Sequence, residues 1–303
     1  MSMPAKSIPA ERDSRRFWRH PALGFLELRE TRDGREVSYA RHSHDSVSLG
    51  AVTGGRSLYE YQVQGEHFTT RMVSRGDVVA MNPGEVHACN PCGDAPWSYV
   101  MFYLDPDWLA TLQRRHANEL AGGFRPLAWH HWRDPGLHAA LVALARRLFS
   151  AAASPATLAG ECERLFGALM ARGELFRQQP PVDTPALAEV VAYIRAHCSE
   201  ALTLEHLAAL AGVSPAHLVR RFKRSYGITP HAYLTDCRVR QGQIALKRGE
   251  PIAEVALACR FADQAHFQRA FKRLTAITPH RYRAVTSPPA SAHSPVAPVP
   301  YRD

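Results

Sequence analysis

The apolar positions change period along the chain. Between about Glu36 and Leu104 they form short β-rich runs: Val37 to Tyr39, Val47 to Val52, Leu58 to Val63, His67 to Val73, Asp77 to Met81 and Tyr99 to Leu104. Turn residues separate them, at Gly54-Gly55, Gly65, Gly76, Pro83-Gly84 and Gly93. Strands at this spacing predict a small antiparallel barrel or sandwich. After Trp132 the apolar residues recur every three or four positions, at Leu137, Leu141, Leu144 and Leu148, then at Leu158, Cys162, Leu165, Phe166 and Leu169. This is the period of amphipathic helices, and the small residues of 151–156, with Pro155, make the pair a plausible antiparallel hairpin. Such a hairpin either caps the barrel or offers its stripe to a second subunit. Prolines 180 and 181 then interrupt the pattern, because they fix φ and remove backbone donors. From there to Arg283 the chain reads as helix, and the tail of Pro, Ser and Ala cannot bury enough apolar surface to order itself.

These breaks predict an α+β chain of several domains: a flexible N-terminal arm (1–20), an antiparallel β-barrel domain (21–132), a helical hairpin (133–178), a linker (179–185), an all-α domain (186–285) and a disordered tail (286–303). With 303 residues, two domains can each bury a core of their own.

The strongest signal is an internal repeat. Ala216-His-Leu-Val-Arg-Arg-Phe-Lys-Arg224 recurs 49 positions later as Ala265-His-Phe-Gln-Arg-Ala-Phe-Lys-Arg273, and Ile228-Thr-Pro-His231 as Ile277-Thr-Pro-His280; Tyr233 and Tyr282 keep the same offset. One supersecondary unit is therefore used twice. Each copy follows a short amphipathic helix, Leu204 to Ala211 and Ile252 to Cys259, and a tight turn. Ser214 with Pro215, and Asp263 in the second copy, are helix-start signals. Helix, turn and capped helix make a helix-turn-helix. The 3.6-residue period turns Leu218 and Phe222 inward and Ala216, Val219, Arg220 and Lys223 outward. In the second copy Phe267 and Phe271 point inward, and Ala265, Gln268, Arg269 and Lys272 outward. Arg220 and Arg269, in equivalent mid-face positions, have the geometry to reach guanine edges bidentately, and Ala216 and Val219 suit thymine methyls. With the flanking Ser214, His217, Arg224, Gln264 and Arg273, these residues form the expected contact set for double-stranded DNA. The run from Pro230 to Gly249 reads as one long helix holding the two units in fixed relation.

Charge supports this division. The net charge is +9, and from Asp183 onward 16 Lys and Arg stand against 9 Asp and Glu, so most of the excess lies in the helical domain. A local basic excess suits a polyanion. The six cysteines are scattered, which argues for reduced thiols rather than a secreted disulfide framework. No signal-peptide core follows the basic start, and no stretch approaches the roughly 20 apolar residues of a membrane span. A cytoplasmic protein is expected.

Residues 186–283 resemble the DNA-binding domain of AraC/XylS-type transcription regulators, notably at Gly212-Val-Ser214, Phe261-Ala-Asp-Gln264, Arg269-Ala-Phe-Lys272 and Thr278-Pro-His-Arg-Tyr-Arg283. The resemblance implies a non-enzymatic regulator that binds promoter or operator DNA through two helix-turn-helix units, with RNA polymerase a further candidate partner. Where the family has glycine in the second turn this chain has Arg260, which would either strain the turn or add a phosphate contact. Arg41-His-Ser-His-Asp45 and Asn82-Pro-Gly-Glu-Val-His87 likewise resemble the cupin-type effector domain of the same regulators. This implies a barrel holding one small-molecule effector, for which His42, His44, His87, Trp97, Tyr99 and Tyr103 are the candidate walls. Three histidines have metal-ligand chemistry, but the glutamate that metal-binding cupins add is replaced by Ser46-Val-Ser-Leu-Gly50, so the expectation is no metal and no cofactor. Cys89 and Cys92 form a C-x-x-C that lacks the further ligands a structural zinc requires. The hairpin is expected to support a homodimer. Two rivals stay open: a cupin-type metalloenzyme fused to a DNA-tethering module, which needs a complete metal site, and an Ada-like alkyl-repair regulator, which needs a four-cysteine cluster near the N-terminus.

Overall fold

A computed structural model describes residues 15–34, 39–62, 68–93, 96–115, 123–150, 153–172 and 185–284. The expected linker, save Pro185, and the expected tail lie outside them, as do residues 1–14 of the arm. The rest of the arm corrects the expectation: Arg15–Trp18 is a strand, β1, paired antiparallel with β2 (Leu26–Gly34), so Trp18 faces Leu28. Its Phe17 and Trp18 give the segment apolar surface to bury, which a solvated arm lacks.

The strands β3 (Val47–Gly54), β4 (Arg56–Tyr61), β5 (Thr69–Ser74), β6 (Val78–Met81), β7 (His87–Pro91), β8 (Trp97–Leu104) and β9 (His131–Trp132) complete two antiparallel sheets, ordered β1-β2-β8-β3-β6-β9 and β5-β4-β7. The expected β fold is thus realised as a two-sheet sandwich. The expected strand near Val37 is not seen: Tyr39 is not in a strand, and 37 and 38 lie outside the described residues. Strand β8 is apolar on both faces. Its Val100, Phe102 and Leu104 point to one core, while Trp97, Tyr99 and Met101 join Tyr59, Val73, Met81 and Cys89 between the sheets.

The first of these cores is closed by helices α1 (Pro106–Arg114), α2 (Pro135–Phe149) and α3 (Pro155–Met170). Leu137, Leu141, Leu144 and Leu148 pack there with Leu158, Cys162, Phe166 and Leu169. The hairpin therefore caps the sandwich with the stripe that a second subunit would have used.

The helical domain comprises α4 (Pro185–His197), α5 (Leu204–Leu210), α6 (Pro215–Tyr226), α7 (Pro230–Lys247), α8 (Ile252–Ala258), α9 (Gln264–Thr275) and α10 (Pro279–Ala284). It has two cores, one around Leu218, Phe222 and Tyr233 and one around Phe267, Phe271 and Tyr282, both reaching onto α7. Both repeats dock on the sandwich by the same corner. The Arg224 carbonyl accepts from Gln62 Nε2 at 2.7 Å, and the equivalent Arg273 carbonyl accepts from the Ala40 amide at 3.2 Å. A Cβ on Gly227 would collide with Phe68, and the equivalent Ala276 is buried in the inter-sheet core.

Candidate DNA-reading surface and ligand cavities

The two units are built alike, apart from one inserted residue. Ser214 Oγ accepts from the His217 amide at 3.3 Å and Asp263 Oδ1 from the His266 amide at 2.6 Å, which fixes the starts of α6 and α9 as the sequence predicts. The preceding turns are also the same. Val213 N–H bonds the Ala208 carbonyl and Phe261 N–H the Ala256 carbonyl, each after a left-handed residue, Gly212 at φ +63° and Arg260 at φ +59°. The caps are thus 49 residues apart and the turns 48. Arg260 does adopt the conformation that favours glycine, and its Nε donates to the Ser199 carbonyl at 3.1 Å.

Every expected contact residue lies on the outer faces of these helices. Ser214, Ala216, His217, Arg220, Lys223 and Arg224 are exposed and Val219 half-buried; Gln264, Ala265, Gln268, Arg269, Lys272 and Arg273 are exposed. Leu218, Phe222, Phe267 and Phe271 are buried beneath them. Among the described residues Arg220, Lys223, Arg269 and Lys272 make no ion pair, so their charge is available to a polyanion.

The six expected effector residues also come together, around a small cavity. His42, His44, His87, Trp97, Tyr99 and Tyr103 line it with Tyr39, Ser48, Met81, Cys89 and Met101, but its volume is only about 30 Å³. That is room for one or two atoms, where organic ligands occupy roughly 300–1,000 Å³. Burial drives the histidines toward the neutral form: His42 is pushed down to about 4 and His87 to about 3, while His44 is lowered by burial and by the other two rings.

A cavity of about 320 Å³ lies instead between the sandwich and the helical domain. His44 and Tyr103 reach it from the expected set. Its remaining walls include Phe17, Arg19, Leu28 and Arg29 from the sandwich, and Arg240, Gln243, Lys247 and Tyr282 from α7 and α10. Sequence reasoning missed these cations because they come from strands and helices 200 residues apart. Arg29 is 6% exposed, donates to Tyr39 Oη at 3.0 Å, leaves Nε unpartnered, and makes no ion pair among the described residues. Arg19 pairs with Glu27 at 2.9 Å and lies over the Tyr282 ring. Lys247 also contacts Glu27, and burial, with Arg19 nearby, pushes its ammonium down to about 8.

Beside this cavity the sandwich grips α7. The Ser43 amide and Oγ donate to Asp236 Oδ2 at 3.1 and 2.7 Å, and Asp45 pairs with Arg240. Burial raises the Asp236 carboxyl against the opposing pull of Arg240 and Ser43.

Comparison with known proteins covers both domains. The family described as AraC-like ligand binding domain matches residues 26–169, and that described as helix-turn-helix domain matches residues 207–284. An uncharacterized HTH-type transcriptional regulator of Bacillus subtilis, YbfI, is 26% identical over 235 residues, which is 75% of this chain and 80% of YbfI. The MmsAB operon regulatory protein of Pseudomonas aeruginosa is 26% identical over 239 residues, 77% of this chain and 73% of that protein. Among solved structures, an apo variant of ToxT from Vibrio cholerae has the same fold, with a TM-score of 0.57 at 12% identity over 87% of this chain and 98% of ToxT. Wild-type ToxT bound to an unsaturated fatty acid gives 0.55 at 11% identity, over 86% and 94%.

Proposed function

The chain belongs to the AraC-type transcription regulators, with a ligand-binding domain ahead of a helix-turn-helix DNA-binding domain, and from that premise we propose that an anionic organic effector, held between the domains, tunes how α6 and α9 read DNA. Arg220 and Arg269 read bases, with Ala216, Val219, Ala265 and Gln268 beside them on the same faces. Lys223, Arg224, Lys272 and Arg273 meet phosphates, which position the protein without carrying sequence information. Ser214, His217 and Gln264 border these faces at the helix starts. The two helices enter successive major-groove segments about one turn apart.

The observation that carries the effector reading is Arg29: a buried guanidinium lining a cavity of organic-ligand size, surrounded by phenols and by the rings of Phe17, Tyr39 and Tyr103 but with no counter-charge among the described residues. Burying a charge without a counter-charge is costly, and a carboxylate in the cavity supplies one. The cavity's apolar walls, Phe17, Leu28, Tyr103 and Tyr282, suit a hydrocarbon or aromatic body. ToxT has been solved with an unsaturated fatty acid and with a methylnaphthalenyl butenoic acid, both carboxylic acids, which supports this class. An occupant touches α7 and α10 as well as the sandwich, so its affinity differs between docked and undocked arrangements, the requirement for regulation by linkage.

The protein acts in the cytoplasm, where promoter DNA and RNA polymerase are its partners. A homodimer would form through a face other than the apolar hairpin stripe, which the sandwich already covers. The effector reading is tested by calorimetry with a panel of fatty and aromatic carboxylates and their uncharged amides. A carboxylate should bind the native protein and bind at least tenfold more weakly to Arg29→Met. Equal binding of acid and amide would exclude the anion site.

A further inference from the structure

The small inner cavity shares His44 and Tyr103 with the larger one but has a chemistry of its own. Two of its three imidazoles are tethered through one nitrogen: His42 Nδ1 lies 2.8 Å from the Ala40 carbonyl and His87 Nδ1 3.0 Å from the Glu85 carbonyl. A carbonyl only accepts, so Nδ1 carries the proton in each ring and Nε2 keeps its lone pair. Such a backbone tether is the usual way a protein orients a metal-binding histidine. The His44 imidazole has no hydrogen bond among the described residues, and its ring centroid lies 4.7 Å from that of His42 and 4.9 Å from that of His87. One ligand nitrogen from each of the three rings lies within 4.8 Å of the others.

We propose that His42, His44 and His87 bind a single late first-row divalent ion, of which Zn²⁺ is the type. Three nitrogens within 4.8 Å of one another lie on a circle of radius at most roughly 2.8 Å, and a four-coordinate zinc with ~2.1 Å bonds draws them onto one of roughly 2.0 Å, so each ring moves by no more than about 0.8 Å. Imidazole is a ligand suited to Zn, Ni, Co and Cu, whereas Mg and Ca prefer oxygen. A volume of about 30 Å³ accommodates an ion with one water at its fourth position, and Met81, Trp97 and Met101 keep the surroundings dry. The charges facing the site are mixed: Arg29 and Arg240 oppose a cation, while Asp236 and Glu85 face His87 and favour it. Two of the ligands, His42 and His44, flank Ser43, whose amide and hydroxyl hold Asp236 of α7, so binding of the ion stiffens the joint between the domains.

The test is made on the full chain, freed of metal with a chelator and titrated with Co²⁺. The expected result is one equivalent bound, with the intense visible absorption of four-coordinate Co²⁺, displaced by one equivalent of Zn²⁺. His44→Gln, checked for native circular dichroism, should retain at least tenfold less metal, and the exposed His231→Ala should retain it all. The Co²⁺ spectrum of the native chain decides the matter even if His44→Gln does not fold. Less than a tenth of an equivalent bound, the weak spectrum of six-coordinate Co²⁺, or undiminished metal in folded His44→Gln would each overturn the site.

Discussion

At the scale of single residues the chain departs most clearly from its own repeat at Arg260. A non-glycine residue in the left-handed region costs roughly 1–2 kcal/mol, of which the Nε bond to the Ser199 carbonyl returns part. Arg260→Gly should therefore raise the stability of the helical domain by about 0.5–1 kcal/mol, measured by urea denaturation; an unchanged or lowered midpoint would mean that the Ser199 bond outweighs the strain. Of the two roles the sequence allowed for Arg260, strain is thus legible in the structure. Lys247 gives a second prediction at this scale. Its pKa of about 8 is a depressed base, so its ammonium is disfavoured in the free protein as pH rises through 8. A carboxylate bound beside it raises that pKa, and binding should take up about half a proton at pH 8 and close to none at pH 6.5. Calorimetry in buffers of different ionisation enthalpy reads this uptake; none at pH 8 would remove Lys247 from the site.

At the scale of elements the helices were far more legible than the strands. Helices α6 and α9 announce themselves by capping residues and by inward apolar pairs four apart, Leu218 with Phe222 and Phe267 with Phe271, signals that depend on a few neighbouring positions. Strand β2 escaped because four of its first seven residues, Glu27, Arg29, Glu30 and Arg32, are charged, and Arg29 is buried although it is out of phase with Leu26 and Leu28. Strand β8 was found but its two-faced burial was not, since alternation vanishes when both faces are covered. The histidines came together although residues 41–46 are irregular: His42 forms only an isolated bridge to His87. On the reading elements themselves, Arg269→Ala should cost roughly 1–3 kcal/mol of specific DNA binding and leave binding to random DNA nearly unchanged. Competition binding against random duplex separates the two; equal losses would make Arg269 a phosphate contact.

At the scale of the whole molecule the organising feature is the repeated corner by which both helix-turn-helix units rest on the sandwich. No local pattern in the sequence encodes it, because Gln62 with Arg224, Ala40 with Arg273, and Ser43 with Asp236 are pairings between residues more than 160 apart. Asp236→Ala strips two hydrogen bonds from Ser43 and a carboxylate from the neighbourhood of Arg240. Breaking a buried charged contact of this kind costs about 3–5 kcal/mol. If docking couples the domains, the native chain unfolds in one thermal transition and Asp236→Ala in two, by calorimetry. A single transition in the variant, merely shifted, would show that Asp236 stabilises its own domain only.

The central claim is that α6 and α9 read DNA as a fixed pair. Binding-site selection from random duplexes, run in parallel on the native chain, Arg220→Ala and Arg269→Ala, tests it most directly. The native chain should select two base clusters about one helical turn apart, roughly 10 base pairs centre to centre, and each variant should lose preference in one cluster while keeping the other. A single cluster, or variants that both weaken binding without changing the selected bases, would contradict it.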